Sequence, residues 1–335
     1  MQIDHLDAVV VSLVPNLVSL KLSHNRLSLL PDNVFSHLNS LVELDLSFNT
    51  IRANFKELFH YLQRIKELHL ANIGLTTWPH MPLPHLITLN LSANALDSSV
   101  DAGVHHSIRL DRLRVLDLSR NRFSQVPSFL WTLTPFLKEL DLSANPIRKL
   151  DTDSFAGLWR LKTLAMQPLP VLESISSDAL HSLVHLKHLK IQTWPGPSMA
   201  ELLNGLHDLN HVSVEVQSPV LGSQLDGVAK LAAAPKLNNI DIFGVQLKSL
   251  QLNVFANLGT RTLPECTIAI QVRIQLDLFF VIQFEFFTHS FSWIPVPVPY
   301  SCRDYSMASF DYLVLWPVFF LFFVFFFVLF LLVAR

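Results

Sequence analysis

Histidine is the residue type in this chain with the most obvious potential for chemistry, because imidazole nitrogens bind transition metals. There are 15 histidines, and His181, His185 and His188 have the spacing of three ligands on one face of a helix. The repeat pattern described below, however, predicts that His188 lies on a strand and His181 in a separate segment. The three imidazoles are therefore not expected on one helical face, and we predict no metal site.

Nucleophilic and nucleotide chemistry are also disfavoured by the sequence. Serine, histidine and aspartate are plentiful, but no nucleophile elbow of the G-x-S-x-G kind occurs. The chain has only 9 glycines, and they form neither a G-x-G-x-x-G fingerprint nor a phosphate-binding loop. We therefore predict no catalytic residue and no cofactor, and we expect a protein that is not an enzyme.

Two covalent modifications are compatible with the sequence. Cys266 and Cys302 could form a disulfide, although nothing in the sequence fixes the distance between them. Asn90, in the segment Asn90-Leu91-Ser92, belongs to the only N-x-S/T sequon. If the chain enters the secretory pathway, we expect a glycan on Asn90.

The elements that must position these residues are indicated by an internal repeat with a period of about 24 residues. Its frame is Leu-x-x-Leu-x-Leu-x-x-Asn-x-Leu, as the first copy shows at Leu20, Leu22 and Asn25. Ten aligned copies of this frame indicate a repeat array rather than separate domains. The copies start at Leu17, Leu41, Ile65, Leu86, Leu113, Leu137, Leu161, Leu186, Leu209 and Leu237.

Each position of the frame has a physical role. Its first half predicts a short strand, on which Leu20 and Leu22 point inward and Lys21 points outward. One repeat cannot bury its leucines alone, so successive coils are expected to stack around a continuous core. The asparagine follows the strand, where its amide can bond to backbone groups of its own coil and of the adjacent one. These structural asparagines are Asn25, Asn49, Asn94, Asn121 and Asn145.

This pattern resembles the typical leucine-rich repeats of extracellular proteins, in particular the chaoptin-type group of insect adhesion proteins. The likeness is carried by the segments LDLSFN, LNLSAN, LDLSRN and LDLSAN, and by Leu30, Pro31, Phe35 and Leu38 after the first strand. It covers about residues 1–258. The resemblance implies an α/β fold, namely a curved leucine-rich repeat solenoid with parallel strands on its concave face, and a role in cell-surface adhesion or recognition.

The concave face is the surface on which repeat solenoids bind their partners. Acidic residues at outward strand positions could receive a basic partner, although aspartate in Leu-Asp-Leu-Ser is also ordinary scaffold usage. Phe48 and Phe243 are expected to be exposed aromatic residues on the same face. The predicted partner contacts are Asp45, Phe48, His69, Asp117, Arg120, Asp141 and Phe243.

A different kind of sequence follows the array of residues 1–258. No lysine occurs after Lys248 and no glycine after Gly259, and the repeat frame is lost. We describe 259–312 as an irregular apolar segment, and 313–334 as a hydrophobic helix long enough to cross or anchor in a membrane. Translated non-coding sequence is an alternative explanation of 259–335. The first residues carry no signal peptide and start within a repeat, so we interpret the sequence as a fragment.

The sequence thus predicts a non-enzymatic, protein-binding solenoid that faces the outside of the plasma membrane. Its partner would be a protein, which could be a second copy of the chain, and 313–334 would provide the contact with the membrane. A formal net charge of −2 gives no polybasic signal, so no nucleic acid partner is expected. The alternative is a soluble, cytoplasmic regulatory scaffold, with which the missing signal peptide and the 2 cysteines are consistent.

Overall fold

The sheet of this protein is assembled from one short strand in each repeat. The computed structural model describes residues 2–99, 109–194, 196–215, 236–237, 239–244, 269–275 and 281–287. The strands within these ranges are β1 (Ser19–Lys21), β2 (Glu43–Asp45), β3 (Glu67–His69), β4 (Thr88–Asn90), β5 (Val115–Asp117), β6 (Glu139–Asp141), β7 (Lys149–Leu150), β8 (Thr163–Met166), β9 (Ser174–Ile175), β10 (His188–Gln192), β11 (His211–Glu215), β12 (Asn239–Gly244), β13 (Ala269–Gln275) and β14 (Val281–Phe287).

The topology of the main sheet follows the order of the chain. Twelve strands pair in the order β1-β2-β3-β4-β5-β6-β8-β10-β11-β12-β13-β14, and β7 pairs with β9 in a separate sheet. Every pair from β1 to β13 is parallel, and only β14 runs antiparallel to its neighbour. Equivalent positions of consecutive repeats face each other, as Leu20 faces Leu44. The predicted α/β leucine-rich repeat solenoid with parallel strands is therefore confirmed.

Short helical segments occur before β1 and between some of the later strands. They are α1 (Ala8–Ser12), α2 (Phe55–His60), α3 (Leu130–Leu133) and α4 (Met199–Leu202). The Asp7 side chain caps α1 by accepting a hydrogen bond from the backbone N–H of Val9. A capping box between Ser198 and Glu201 begins α4. In the described part of the chain, no helix has both the length and the apolarity needed to cross a membrane.

The core is a continuous column of leucines with phenylalanines packed behind it. The central residue of each strand from β2 to β6 points inward, and Leu44, Leu68 and Leu89 are completely buried. Phe35 and Phe155 come from the segments that follow the strands, and they are completely buried as well. Burying a side chain of this size contributes about 1.5–3 kcal/mol. Since these residues recur in each coil, the hydrophobic core extends along the whole described array.

Asparagine side chains join successive coils at the turn after each strand. Asn49 is buried, and its Nδ2 donates hydrogen bonds of 2.9 Å to the carbonyl oxygens of Leu46 in its own coil and Leu22 in the previous one. Its Oδ1 accepts a hydrogen bond of 3.0 Å from the backbone N–H of Leu27. The same amide thus satisfies backbone groups that the turn leaves without a strand partner, and it fixes the coil-to-coil register of the sheet.

After residue 258, the described part of the structure differs from what we predicted from the sequence. β13 and β14 lie within 259–312, which we described as irregular. The alternation of Ile270, Val272 and Ile274 with polar residues accounts for β13, because a period of two is typical of a strand. The repeat frame could not indicate this strand, because the leucine positions of the frame hold other residues in this part of the chain. The predicted helix 313–334 lies outside the described residues.

Candidate interaction surface on the strand face

The outward side chains of the parallel strands form a surface that we call the strand face, which is the surface predicted to be concave. In β2, Glu43 and Asp45 are half-buried and point outward, whereas Leu44 between them is completely buried. The parallel register places equivalent residues side by side, so that Glu43 faces Glu67 and Asp45 faces His69. The strand face therefore consists of two rows, one from the first and one from the third residue of each strand.

Negative charge dominates the strand face over β1–β6. Among the outward residues of these six described strands, Lys21 is the one lysine or arginine, and it pairs with Glu43 at 2.7 Å. The carboxylates of this region are Glu43, Asp45, Glu67, Asp117, Glu139 and Asp141. The formal net charge of the whole chain is only −2, so the fold concentrates negative charge on one surface.

Each aspartate of the second row also has a structural role. One of its side-chain oxygens accepts a hydrogen bond from the backbone N–H of the serine two residues later. The distances are 2.9 Å from Ser47 to Asp45, 2.9 Å from Ser119 to Asp117 and 2.8 Å from Ser143 to Asp141. Asn90 has the equivalent position in β4 and accepts the same bond from Ser92 at 2.9 Å. These four turns therefore use an oxygen at this position and not a charge.

Asp141 shows that this surplus charge is only partly compensated within the strand face. Burial raises the pKa of its carboxyl, while the hydrogen bonds from Ser143 oppose that rise. The carboxylate of Asp117, which faces Asp141 on the neighbouring strand, raises the pKa further, and the more distant Lys190 lowers it. A cation brought by a partner would reduce the repulsion between the two carboxylates.

Two of the predicted contact residues lie in the turn after the strand rather than on it. Phe48 and Arg120 each precede a structural asparagine and have positive φ values of 57° and 55°. Phe48 is 42% exposed, and its ring stacks on that of His24 with the centroids 4.2 Å apart and the planes inclined by 8°. This stacked pair is an exposed, rigid aromatic group beside the acidic rows, and such a group can anchor a partner.

The other predicted residues have varied positions. Asp45, His69, Asp117 and Asp141 all lie in the second row of the strand face. Phe243 is part of β12, and its side chain lies outside what the structure describes. The structure therefore brings four of the predicted contacts into one row, with Phe48 and Arg120 in the turns that follow it.

Asn90 is half-buried in the second row, between His69 and Asp117 on the neighbouring strands. Its Oδ1 accepts hydrogen bonds from the backbone N–H of Ser92 at 2.9 Å and from the Ser92 hydroxyl at 2.7 Å. The other amide atom, Nδ2, has no hydrogen-bond partner among the described residues. N-linked glycans attach to Nδ2, so the nitrogen that would carry a glycan is not occupied by a hydrogen bond to the described residues.

One group of side chains on the strand face has donor atoms close enough to hold a cation. One donor atom each of Glu43, Glu67 and His69 lies within 4.8 Å of the others. Glu43 is already occupied, because Lys21 lies 2.7 Å from its Oε1 and the Ser19 hydroxyl donates to its Oε2 at 2.7 Å. A divalent ion would therefore have to displace Lys21.

Comparison with known proteins gives the same assignment as the sheet. Residues 15–74 and 111–167 match the family model for the leucine-rich repeat. Chaoptin of Drosophila melanogaster is 34% identical over 194 residues, which are 57% of this chain and 14% of that protein. Chaoptin of Tribolium castaneum is 28% identical over 267 residues, which are 78% of this chain and 30% of that protein.

A vertebrate protein is also similar to this chain. Tsukushi of Xenopus tropicalis is 31% identical over 165 residues, which are 48% of this chain and 45% of that protein. The chain thus spans less than half the length of each of these three relatives. The matched repeats, and the parallel sheet that they form, show that the chain is a leucine-rich repeat protein similar to chaoptin.

Proposed function

We propose that this protein is a non-enzymatic recognition or adhesion module of the cell surface, and that it binds another protein through the strand face. The supporting observation is that Asp45, Asp117 and Asp141 carry negative charge in one row, although their hydrogen bonds to the turn use only an acceptor oxygen and need no charge. A partner with a basic surface would complement these charges, since complementary potentials accelerate association and exclude wrong partners. Phe48 beside the row would supply an apolar anchor.

The test compares two charge-neutralised variants of equal size. Asp117→Asn/Asp141→Asn removes charge from the strand face but keeps the acceptor oxygens, as Asn90 does naturally. Asp151→Asn/Asp153→Asn removes the same charge from exposed residues that lie on no strand of the main sheet. Each variant, made as a fluorescent tetramer, is added to a panel of cells that display individual surface proteins, including this chain itself.

Binding to one displayed protein that falls at least tenfold in the strand-face variant, and not in the matched control, is the expected result. If the displayed protein is this chain, the contact is homophilic. Equal binding by the two variants would place the contact outside the strand face and contradict the proposal.

We further propose that the repeats face the outside of the cell, and the alternative is a cytoplasmic scaffold. The support is the sequon of Asn90, whose Nδ2 is available for a glycan, which would cover the neighbouring part of the strand face and leave the rest of it to the partner. Mass spectrometry of the protein isolated from its own cells is the test, because a chain that stays in the cytoplasm is not N-glycosylated. A glycan on the peptide that contains Asn90 is expected, and a fully covered, unmodified peptide would favour the cytoplasmic scaffold.

Attachment to the membrane through 313–334 is also a proposal, and it is supported by the uncharged, apolar composition of that segment. Alkaline carbonate extraction of the full chain and of a chain that lacks 313–334 tests it. We expect only the full chain to remain with the membrane pellet. Extraction of both chains would contradict the proposal.

A further inference from the structure

A row of basic residues runs along one edge of the strand face, at the position immediately before each strand. Arg114 precedes β5, Lys138 precedes β6, Lys162 lies before β8 and Lys187 precedes β10. The three lysines are exposed, and Arg114 is half-buried. Four consecutive coils therefore each present one cation at the same position.

Backbone hydrogen bonds hold these four residues in register. The N–H of Lys138 donates to the carbonyl oxygen of Arg114 at 2.8 Å, that of Lys162 to Lys138 at 2.7 Å and that of Lys187 to Lys162 at 2.8 Å. Neighbouring strands of a sheet are about 4.8 Å apart, so the row presents a cation at about this interval. The coils set the spacing of the backbone positions, and the flexible lysine side chains can adjust their amino groups to an anion from there.

A second row lies two residues before the first row in the sequence of each repeat. It adds arginine and aromatic side chains that stack on each other. The guanidinium of Arg160 lies 4.4 Å from the ring centroid of Phe136 and 4.4 Å from that of Trp159. The guanidinium of Arg114 lies 5.6 Å from the centroid of the same Phe136 ring. These cation–π contacts restrict the arginines without neutralising them, so their charge remains available to an anion.

These cations are not paired with carboxylates of the protein. Within the described residues, no carboxylate oxygen lies within 4.0 Å of the amino groups of Lys138, Lys162 or Lys187, whereas Lys21 and Lys236 each have such a partner at 2.7 Å. At the end of the row, Asp208 binds both His185 and Lys236. Within the described residues, the three lysines of the row therefore form no ion pair, and their charge remains available to an anion.

We propose that this edge binds the chain of a sulfated glycosaminoglycan. The basic edge comprises Arg112, Arg114, Lys138, Arg160, Lys162 and Lys187. A narrow, regular row of cations fits a narrow, linear polyanion, which can follow it from coil to coil. Asp117, Glu139 and Asp141 on β5 and β6 lie beside one half of this edge, and they repel broader polyanions such as duplex nucleic acid, which would cover both surfaces.

The inference rests on the proposed extracellular location, because that is where such polysaccharides occur. It also explains why the sequence showed no polybasic signal. The six residues are distributed over five repeats, so no run of adjacent basic residues forms, and only the stacking of coils brings them together.

The test measures binding of the full chain to immobilised heparin, by surface plasmon resonance at several salt concentrations. The variant Lys138→Gln/Lys162→Gln/Lys187→Gln removes three exposed charges from the edge. The control Arg26→Gln/Lys56→Gln/Lys149→Gln removes three exposed charges elsewhere, so the two variants have the same net charge. We expect at least a tenfold loss of affinity in the first variant, less than a twofold loss in the second, and weaker salt dependence in the first.

Desulfated heparin and a DNA duplex serve as comparison ligands. Weak binding of both, compared with heparin, supports a sulfated polysaccharide, whereas DNA binding equal to that of heparin would overturn this assignment. Absent heparin binding, or equal losses in the two variants, would overturn the inference as a whole. The proposed extracellular location has its own test. It fails if Asn90 of the native protein is unglycosylated, even when heparin binds along this edge.

Discussion

The side chain of Asn145 connects two coils, because its Nδ2 donates a hydrogen bond of 2.9 Å to the carbonyl oxygen of Leu118 in the preceding coil. The same nitrogen donates to the carbonyl oxygen of Leu142 at 2.9 Å, and the Oδ1 atom accepts from the backbone N–H of Phe123 at 3.2 Å. Asn145 has no exposed surface. The three backbone groups are thereby satisfied at a turn from which water is excluded.

We predict that Asn145→Ala strongly destabilises the array. Each buried backbone group that loses its partner costs about 1–3 kcal/mol, so the free energy of unfolding should fall by about 3 kcal/mol or more. Urea unfolding followed by circular dichroism measures this change. Asn33→Ala, at an exposed position, is the matched control and should change stability by less than about 0.5 kcal/mol. Equal effects of the two variants would mean that the amide is not needed.

The asparagines, the inward leucines and the parallel sheet could be predicted from the sequence for one physical reason. Strand alternation and coil stacking impose the same residue type at the same position in each repeat, so the constraint appears as a period. The recurrence of leucine at 20, 44 and 68 therefore indicates that these three positions are equivalent.

The residues with positive φ could not be predicted in this way. His24, Phe48, Ala93 and Arg120 all precede an asparagine of the frame and have φ values of 55–57°, yet their side chains have nothing in common. The constraint acts on the backbone alone, so only the position relative to the asparagine could have indicated it.

The contact that replaces a missing asparagine was also not predictable. Leu169 has the asparagine position of its repeat, and its backbone N–H and carbonyl oxygen both bond to the side chain of Gln192 at 2.6 Å. Gln192 belongs to the next coil, and the frame assigns no special residue to its position. Such a substitute depends on a side chain's reach in three dimensions, which the repeat pattern does not contain.

A pair of glycines allows a test of side-chain packing. Gly157 and Gly74 both have positive φ values, of 79° and 87°, but a Cβ at Gly157 would lie 2.6 Å from the Cβ of Trp131, whereas one at Gly74 would meet nothing within 4 Å. We predict that Gly74→Ala lowers stability by about 1 kcal/mol through backbone strain, and that Gly157→Ala lowers it by a further 1–3 kcal/mol, roughly, through overpacking. Thermal unfolding of the two variants measures the difference. Equal losses would show that Trp131 can move away at little cost.

Neutralising the strand face should not destabilise the protein. The pKa of Asp141 is raised by burial and by Asp117, so the folded state holds this proton more tightly than the unfolded chain does. Ionisation at neutral pH therefore opposes folding, and the stability that protonation contributes is lost as the pH rises through the folded-state pKa. We predict that Asp141→Asn raises Tm by about 1–2 °C at pH 7, and that the difference disappears near pH 3. Scanning calorimetry at the two pH values tests this, and a lower Tm at pH 7 would mean that a cation of the protein compensates Asp141.

The pH dependence of stability near neutrality should involve His188. Although His188 is exposed, partial desolvation by its neighbours is the first cause that lowers its pKa; the charges of His211 and Lys187 lower it as well, while Glu139 opposes them and Lys190 adds to them. Since the pKa in the folded state is below the ordinary value of about 6.5, the unfolded chain binds the proton more tightly. The contribution of His188 to stability is complete above that value, and it is lost as the pH falls through 6.5 towards the folded-state pKa.

We therefore predict that lowering the pH from 7.5 to 5.5 reduces Tm in both proteins, and that the reduction is about 1 °C smaller in His188→Gln than in the unmodified protein. The difference is small because His188 is exposed at the surface. His207→Gln, which replaces another exposed histidine that lies on no strand, is the matched control and should follow the unmodified protein. Differential scanning fluorimetry in buffers of equal ionic strength is the measurement. If the two variants lose Tm equally, the proximity of His188 to His211, with ring centroids 5.9 Å apart, has no energetic consequence.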